Sequence, residues 1–271
     1  MNSFIKYYFK DRLVLTIKHL KLLLFPSKPI ILVFTMGKVG SLSIYSSLKK
    51  KMWKHAVFHI HTSDNEEVLF QNKQLKEKKQ LPDSRNPIAL LNKYLSKRKV
   101  KIITLVRDPI ERNISAFFDA FEFLVGTKEE DYSGNIEELE QIYHKTFFHD
   151  YPLNWFQNQF YKGSGIDIFK HTFSIKEGHD FIKNNNTSVL LLRSDLENSK
   201  KERIIGEFCA VDRFQIKNTN VNLRDLYFEF KNEIKFSKDY LEQIYNSNLA
   251  FHFFSEEERT QAIKKWVKKD L

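Results

Sequence analysis

The residues of this chain that invite chemistry gather at two places in its first half. One is Thr35-Met36-Gly37-Lys38-Val39-Gly40-Ser41-Leu42-Ser43, which follows an apolar run at 29–35 and precedes a helical pattern at 41–52. A glycine-bearing turn from strand to helix lets backbone N–H groups converge on an anion, with the positive end of the helix behind them. Gly37, Lys38, Val39, Gly40, Ser41, Leu42 and Ser43 are therefore expected to cradle a phosphate-like group. Lys38 adds a mobile cation, and Ser41 and Ser43 add hydroxyl donors. An ordinary tight turn would need the glycines but not the lysine and serines around them.

The other place is Arg107-Asp108-Pro109-Ile110-Glu111-Arg112-Asn113-Ile114-Ser115, at the end of the apolar run 100–106. Arg107 falls at the carboxyl end of that run, where open α/β sheets bind ligands. Asp108 and Pro109 read as the N-cap and first residue of a helix reaching about residue 124. Arg112 and Ser115 are three apart on one helix face. With Arg107 they form a receptor for a second phosphate. Surface pairing with Glu111 or Asp108 is the competing role for Arg112, but it suits Arg107 poorly. Two anion sites at neighbouring strand ends imply a ligand with two separated phosphate-like groups.

These residues need a scaffold. The runs 29–35, 56–61, 100–106 and 188–193 are continuous and β-rich, as strands buried on both faces of a mostly parallel sheet are. Helical patterns at 41–52 and 88–97 lie between the first three, a βαβαβ start with right-handed crossovers. The second half is expected to be mainly helical, at 136–147, 152–161, 223–236, 238–246 and 255–268. The expected fold is α/β, P-loop-like and three-layered, with a mostly parallel central sheet and a helical C-terminal part. No repeat or linker divides it, so 1–271 reads as one domain: a basic segment 1–28, a nucleotide-binding core 29–125 and an acceptor-side and closing region 126–271.

Composition narrows the classes. The 271 residues carry 44 Lys+Arg against 34 Asp+Glu, a net charge of +10, and 42% are apolar, with 25 Phe. So much apolar surface excludes disorder as the main state. A single cysteine, Cys209, excludes an intrachain disulfide and zinc-type cysteine pairs, and fits a reducing cytoplasm. Cys209 itself reads as buried packing. The apolar stretch 20–25 is broken by Lys21, ended by Pro26 and far short of the roughly 20 residues of a spanning helix. The first 25 residues read as a basic amphipathic helix lying on the domain, with peripheral contact to an anionic membrane as the alternative. The positive excess suits an anionic partner, yet its scatter shows no RNP-like block or recognition helix, so no nucleic acid is expected.

The segment 35–43 resembles the 5′-phosphosulfate loop of sulfotransferases, and 107–115 resembles their 3′-phosphate motif. The likeness extends in particular to bacterial sulfotransferase-like proteins of capsular polysaccharide synthesis, whose loop reads much like Met36-Gly37-Lys38-Val39-Gly40-Ser41. It covers roughly the first 120 residues, with fainter likeness at 190–196 and 252–258. The resemblance implies 3′-phosphoadenosine-5′-phosphosulfate (PAPS) as donor, adenosine 3′,5′-bisphosphate (PAP) as product, and no metal. Lys38 and Ser41 would serve the 5′ side, and Arg107 and Ser115 the 3′-phosphate. The acceptor implied is a carbohydrate hydroxyl, of a capsular or other surface polysaccharide or its precursor. The Arg-Lys-Gly-x-x-Gly-Asp-Trp segment of the soluble eukaryotic branch is absent, which leaves closure over the 3′-phosphate to unnamed residues.

Sulfuryl transfer needs a proton acceptor and a stabiliser of charge on the leaving phosphate. Lys38 and the loop N–H groups suit the second role. For the first, alternation along Phe58-His59-Ile60-His61 puts both histidines on one face, with His61 nearer the crevice. Related carbohydrate sulfotransferases use Glu or His near this place, and His61 is the expected base, with His59 or a carboxylate as alternatives. A buried or capping histidine is the structural alternative, and a zinc pair lacks a third ligand.

An ATP-dependent kinase or NTPase would keep the same sheet. The standard loop G-x-x-x-x-G-K-[ST] has a hydroxyl directly after its lysine, however, and here Val39 follows Lys38. Asp108, the nearest carboxylate for magnesium, is accounted for as a cap. A non-catalytic nucleotide- or polyanion-binding protein is the third possibility. Residues 71–86 read as a solvated loop or, more sharply, a lid or acceptor-binding loop. Trp155, Phe156, Phe160 and Tyr161 read as a core face rather than a sugar-stacking platform. Arg193 and Asp195 could line an acceptor cleft or pair, and the basic tail 264–269 reads as an amphipathic final helix.

Overall fold

The four apolar runs all become strands in a computed structural model, which describes residues 3–64, 87–217 and 225–268. They are β1 (Ile30–Phe34), β2 (Val57–Ile60), β3 (Val100–Val106) and, after a further strand β4 (His179–Asn184), β5 (Thr187–Arg193). Every residue of β1 is buried, as is all of β3 except Lys101 and all of β5 beyond Ser188. Only strands covered on both faces can carry such unbroken apolar runs. β4 buries Ile182 alone and sits at the sheet edge, antiparallel to β5. With one inward residue it offers no alternation to read, and the sequence did not predict it.

The five-stranded sheet runs β2-β1-β3-β5-β4, with every pair parallel except β4·β5. From β1 the chain moves outward to β2, then crosses back to place β3 on the other side. The chain direction therefore switches between the carboxyl ends of β1 and β3, which is where an open α/β sheet leaves a crevice.

Helix α1 (Ser3–Leu24) ends where the Arg98 guanidinium donates to the carbonyls of Leu22 and Phe25 (2.9 Å each) and of Lys28 (2.6 Å). α2 (Ser41–Lys51) joins β1 to β2, and α3 (Ile88–Asn92) is shorter than the expected 88–97. α4 (Pro109–Asp119) starts as expected, with Asp108 Oδ1 accepting the Glu111 N–H at 2.9 Å. It stops at Ala120 and resumes as α5 (Phe121–Val125), so the single helix to 124 is two. α6 (Ile136–Thr146) follows, and then α7 (Tyr151–Trp155), which runs into a π-helical turn, Phe156–Tyr161.

Beyond the sheet come α8 (Asn198–Cys209), α9 (Asp225–Glu233), α10 (Lys238–Tyr245), α11 (Asn248–Phe253) and α12 (Glu256–Trp266). α8 and α11 were not expected. α8 is mostly polar and buries only Ile204, Ile205, Gly206 and Cys209, while α11 is under two turns long. The expected helix at 223–236 appears as α9, its start falling outside the described residues. The loop at 71–86 lies outside them too.

Two buried clusters hold these elements. One surrounds the sheet. The other packs Ile114, Phe117 and Phe118 of α4 against Leu139, Tyr143, Phe230, Leu241 and Trp266. Phe117 meets Tyr143 edge-on at 5.1 Å and stacks on Phe230 at 5.8 Å between ring centroids. Truncating such a ring costs about 3–5 kcal/mol, so the C-terminal helices grip the face of α4 turned away from the sheet. Among the described residues, no helix is long and apolar enough to cross a membrane.

Candidate functional site

The crevice between β1 and β3 is filled by the β1–α2 loop. Lys38 and Gly40 both adopt left-handed backbone, with φ of 70° and 81°. Glycine does so freely, whereas for lysine it costs roughly 1–2 kcal/mol. Two arginines hold the strained turn. Arg107 donates to the Lys38 carbonyl at 3.0 Å, and Arg112 Nε donates to the Gly37 carbonyl at 3.2 Å. Gly37 itself needs no left-handed φ, and a Cβ built on it would meet no atom within 4 Å. Its missing side chain leaves open space over the loop. No side chain caps the start of α2, so its first-turn N–H groups present the positive end of the helix at the same place.

On one side of this loop lies a cleft of about 440 Å³, lined by Val39, Gly40, Arg107, Glu111, Asp195 and Lys265, among others. Glu111 organises its cations, with Lys265 Nζ at 2.8 Å, and Lys231 Nζ and Arg107 Nη2 at 3.2 Å. Burial alone would raise the Glu111 carboxyl. The hydrogen bond and charge of Lys265, joined by Lys231 and Arg107, outweigh it and hold the pKa at about 2. Asp108 is occupied on both oxygens, since Oδ2 accepts the Tyr245 hydroxyl at 2.7 Å. Desolvation raises its pKa.

The far wall of the cleft is α12. Its N-terminus carries a reciprocal capping box, Ser255 with Glu258. Arg193, at the end of β5, bridges Asp195 and Glu258 and lies 4.8 Å over the Phe254 ring. Arg193 and Asp195 thus pair, and Asp195 also lines the cleft.

His61 sits on the other flank, directly after β2. Its Nδ1 is 2.7 Å from the Thr35 carbonyl oxygen. That oxygen can only accept, so Nδ1 carries the proton and Nε2 keeps its lone pair. The residue is exposed, yet protein crowds its ring. Desolvation lowers its pKa and the charges of Arg112 and Lys38 lower it further, against the Thr35 bond and Asp119. The neutral imidazole that a base requires is thereby favoured. Lys38 Nζ meets Asp119 Oδ1 at 2.8 Å. His59 is engaged differently, its Nε2 2.9 Å from Ser41 Oγ and its ring stacked on Tyr45 at 5.3 Å.

The His61 carbonyl accepts the Trp155 indole N–H at 2.9 Å, and Thr62 donates to the Gln159 side chain at 2.7 Å. These bonds tie the end of β2 to α7 and its π turn. Along that element runs a second cleft of about 600 Å³, lined by Phe148, Asp150, Tyr151, Asn154, Asn158 and Gln159, among others. Trp155, Phe156 and Phe160 are core, as expected, whereas Tyr161 is exposed.

Val39, Gly40 and Arg107 therefore share one cleft, while Lys38 and His61 flank the loop. Arg112 lies elsewhere. It is buried under the loop, donates to Asn113 Oδ1 at 3.0 Å and rests 4.6 Å over the Tyr151 ring. Ser115 is half-buried, Leu42 exposed and Ser41 buried against His59, and none of these lines the cleft, nor do Gly37, Lys38 and Ser43. Glu111, Lys231, Lys265 and Asp119 were missed as site residues. For Glu111 the i,i+4 spacing to Arg107 was an available signal; the two lysines come from distant helices and had none. Cys209 is buried, and burial pushes its thiol up to about 12.

No protein-family model, curated protein or solved structure matches this chain.

Proposed function

We propose that this chain is a cytoplasmic sulfotransferase on a P-loop-like α/β fold. It would move a sulfuryl group from PAPS to a carbohydrate hydroxyl, that of a capsular or other surface polysaccharide or its precursor. The observation that carries this proposal is the cleft in which Val39 and Gly40, at the uncapped start of α2, meet Arg107 from the end of β3, beside the open space over Gly37. One donor with phosphates at both ends suits that pairing.

In this scheme the loop N–H groups hold the 5′-phosphosulfate, and Arg107 binds the 3′-phosphate, with Lys265 of α12 closing over it. His61 Nε2 takes the proton of the acceptor hydroxyl as its oxygen bonds to sulfur and the bond from sulfur to the 5′-phosphate oxygen breaks. A positioned base of this kind contributes about 10²–10⁴-fold. Lys38 leaves Asp119 to meet the charge left on the phosphate. The second cleft, with an exposed Phe148 and the amides of Asn154, Asn158 and Gln159, has the mixed aromatic and hydrogen-bonding chemistry that a sugar needs. A kinase would require a carboxylate at the end of β3 for magnesium, and both oxygens of Asp108 are engaged.

Isothermal titration tests the donor: PAP is expected to bind at least about tenfold tighter than ATP with magnesium, a gap of about 1.4 kcal/mol. Tighter ATP binding would overturn the proposal in favour of the kinase. A sulfated glycan should then appear by mass spectrometry in cells with an active copy and vanish without it. PAP binding with no turnover of PAPS on any glycan extract would leave the non-catalytic alternative.

A further inference from the structure

The outward face of α1 is apolar. Leu13, Ile17, Leu20 and Leu24 recur along one side of the helix, opposite the buried Leu22, and all four are exposed, Leu13 at 60% and Leu24 at 69%. At 1.5 Å per residue they form a stripe about 16 Å long. Leu23 flanks it. Just past the helix, Phe25 meets the exposed Trp53 edge-on at 5.9 Å, and Lys54 Nζ lies 4.9 Å over the Trp53 ring. A helix packed on a domain in water turns its polar side outward, whereas this one buries Leu22 and still exposes four large aliphatic side chains on the opposite side.

The charge around the stripe is of one sign. Between residues 13 and 63 the sequence holds eight lysines and no Asp or Glu. Lys18, Lys21 and Lys49 line a small pocket of about 70 Å³ where α1 meets α2, together with His55. Lys21 is desolvated there and feels the charge of Lys49, both of which lower its pKa. Lys28, Lys50, Lys51 and Lys54 are exposed at the neighbouring ends of α1 and α2. A second copy of the chain docked through the stripe would bring two such lysine fields together. An anionic bilayer satisfies both features, taking the leucines into the headgroup–acyl boundary and the lysines onto lipid phosphates.

We propose that α1 docks this protein onto an anionic phospholipid surface through Leu13, Ile17, Leu20 and Leu24, with Lys21, Lys49 and Lys54 as its electrostatic flank. The docking does not depend on the sulfuryl-transfer chemistry, because none of these residues lines the cleft at Arg107.

Co-sedimentation of the full chain with lipid vesicles tests it. Binding to phosphatidylcholine vesicles with about one-third phosphatidylglycerol should exceed binding to pure phosphatidylcholine by at least about tenfold, and should weaken as salt is raised. The combined variant Leu13→Ser, Leu20→Ser, Leu24→Ser changes only exposed side chains, so its circular dichroism should match the wild type while vesicle binding drops by at least about tenfold. Lys49→Glu with Lys54→Glu should lose the preference for anionic vesicles. Equal binding to both vesicle types, or unchanged binding by the leucine variant, would overturn the proposal. So would light scattering that shows a wild-type dimer, split by the leucine variant, with no vesicle binding.

Discussion

A single methyl group at Gly37 should separate folding from binding. No atom lies within 4 Å of where the Cβ would stand, and the backbone there is not left-handed. The folded state therefore accepts Gly37→Ala, and the loss of freedom in the unfolded chain favours it by about 0.4–1 kcal/mol. The melting temperature should stay level or rise slightly. Gly40→Ala makes the control, since its Cβ also meets open space but its φ is +81°. Forcing alanine into that conformation costs about 1–2 kcal/mol, which for a chain of this size lowers melting by about 2–8 °C.

Binding should respond in the opposite order. An anion held at about 2.9 Å by the loop N–H groups would share its volume with the new methyl. Losing even one such charged hydrogen bond, about 1.5–3 kcal/mol, weakens affinity at least about tenfold. Differential scanning calorimetry and isothermal titration with PAP read the two effects side by side. If Gly37→Ala binds PAP as tightly as the wild type, the space over the loop is not where the ligand lies. If Gly37→Ala melts lower than Gly40→Ala, the steric reasoning itself fails.

Arg107→Ala should weaken PAP binding at least about tenfold in the same titration, because a guanidinium–phosphate contact is charge-assisted; Lys231 and Lys265 still hold Glu111, so circular dichroism should stay unchanged. His61→Gln should lower turnover of PAPS by about 10²–10⁴-fold while leaving PAP affinity within about threefold. In the wild type, kcat/KM should fall on the acid side only below the ordinary histidine value of 6.5, since the pKa of His61 is lowered. An acid limb above 6.5 would assign it to another group. Glu111 makes the fourth prediction. Its folded pKa of about 2 lies below the ordinary 4.5, so its stabilisation is full above about pH 5 and disappears as pH falls toward 2. Denaturant melts of wild type and Glu111→Gln should differ by up to about 3 kcal/mol at neutral pH and converge near pH 2.

What could be read ahead of the structure depended on how local its cause was. β1, β3 and β5 are unbroken apolar runs because both faces are covered, and that signal survives without any knowledge of neighbours. The start of α4 was legible because Asp108 caps Glu111 three residues on. The break at Ala120 was not. It falls between Phe118 and Phe121, where the rings must meet Tyr227 and Tyr132 from separate elements. β4 earns its strand from pairing with β5 rather than from its own pattern. The amphipathicity of α1 was read correctly as a helix, but its apolar stripe faces outward, which periodicity alone cannot tell.

The site divides along the same line. The loop at 35–43 could be read as a glycine-bearing turn from strand to helix because adjacent residues make it. The destination of Arg112 could not, since the spacing that pairs it with Ser115 is the same whether the guanidinium faces a ligand or lies beneath Gly37, and Tyr151 and Asn113 decide for the latter. The two remaining cations are held in unequal ways. Arg107 is tied to the Lys38 carbonyl and to a carboxylate that Lys231 and Lys265 also grip, so moving it would disturb four groups. Among the described residues Lys38 pairs with Asp119, whose side chain is 64% exposed. Pairs of that kind are worth about 0–1 kcal/mol. A fixed cation suits a phosphate that stays bound throughout a reaction, and a loosely held one suits charge that appears only as a bond breaks. Asp119→Ala should therefore leave PAP affinity nearly unchanged, whereas Lys38→Ala should act on turnover first.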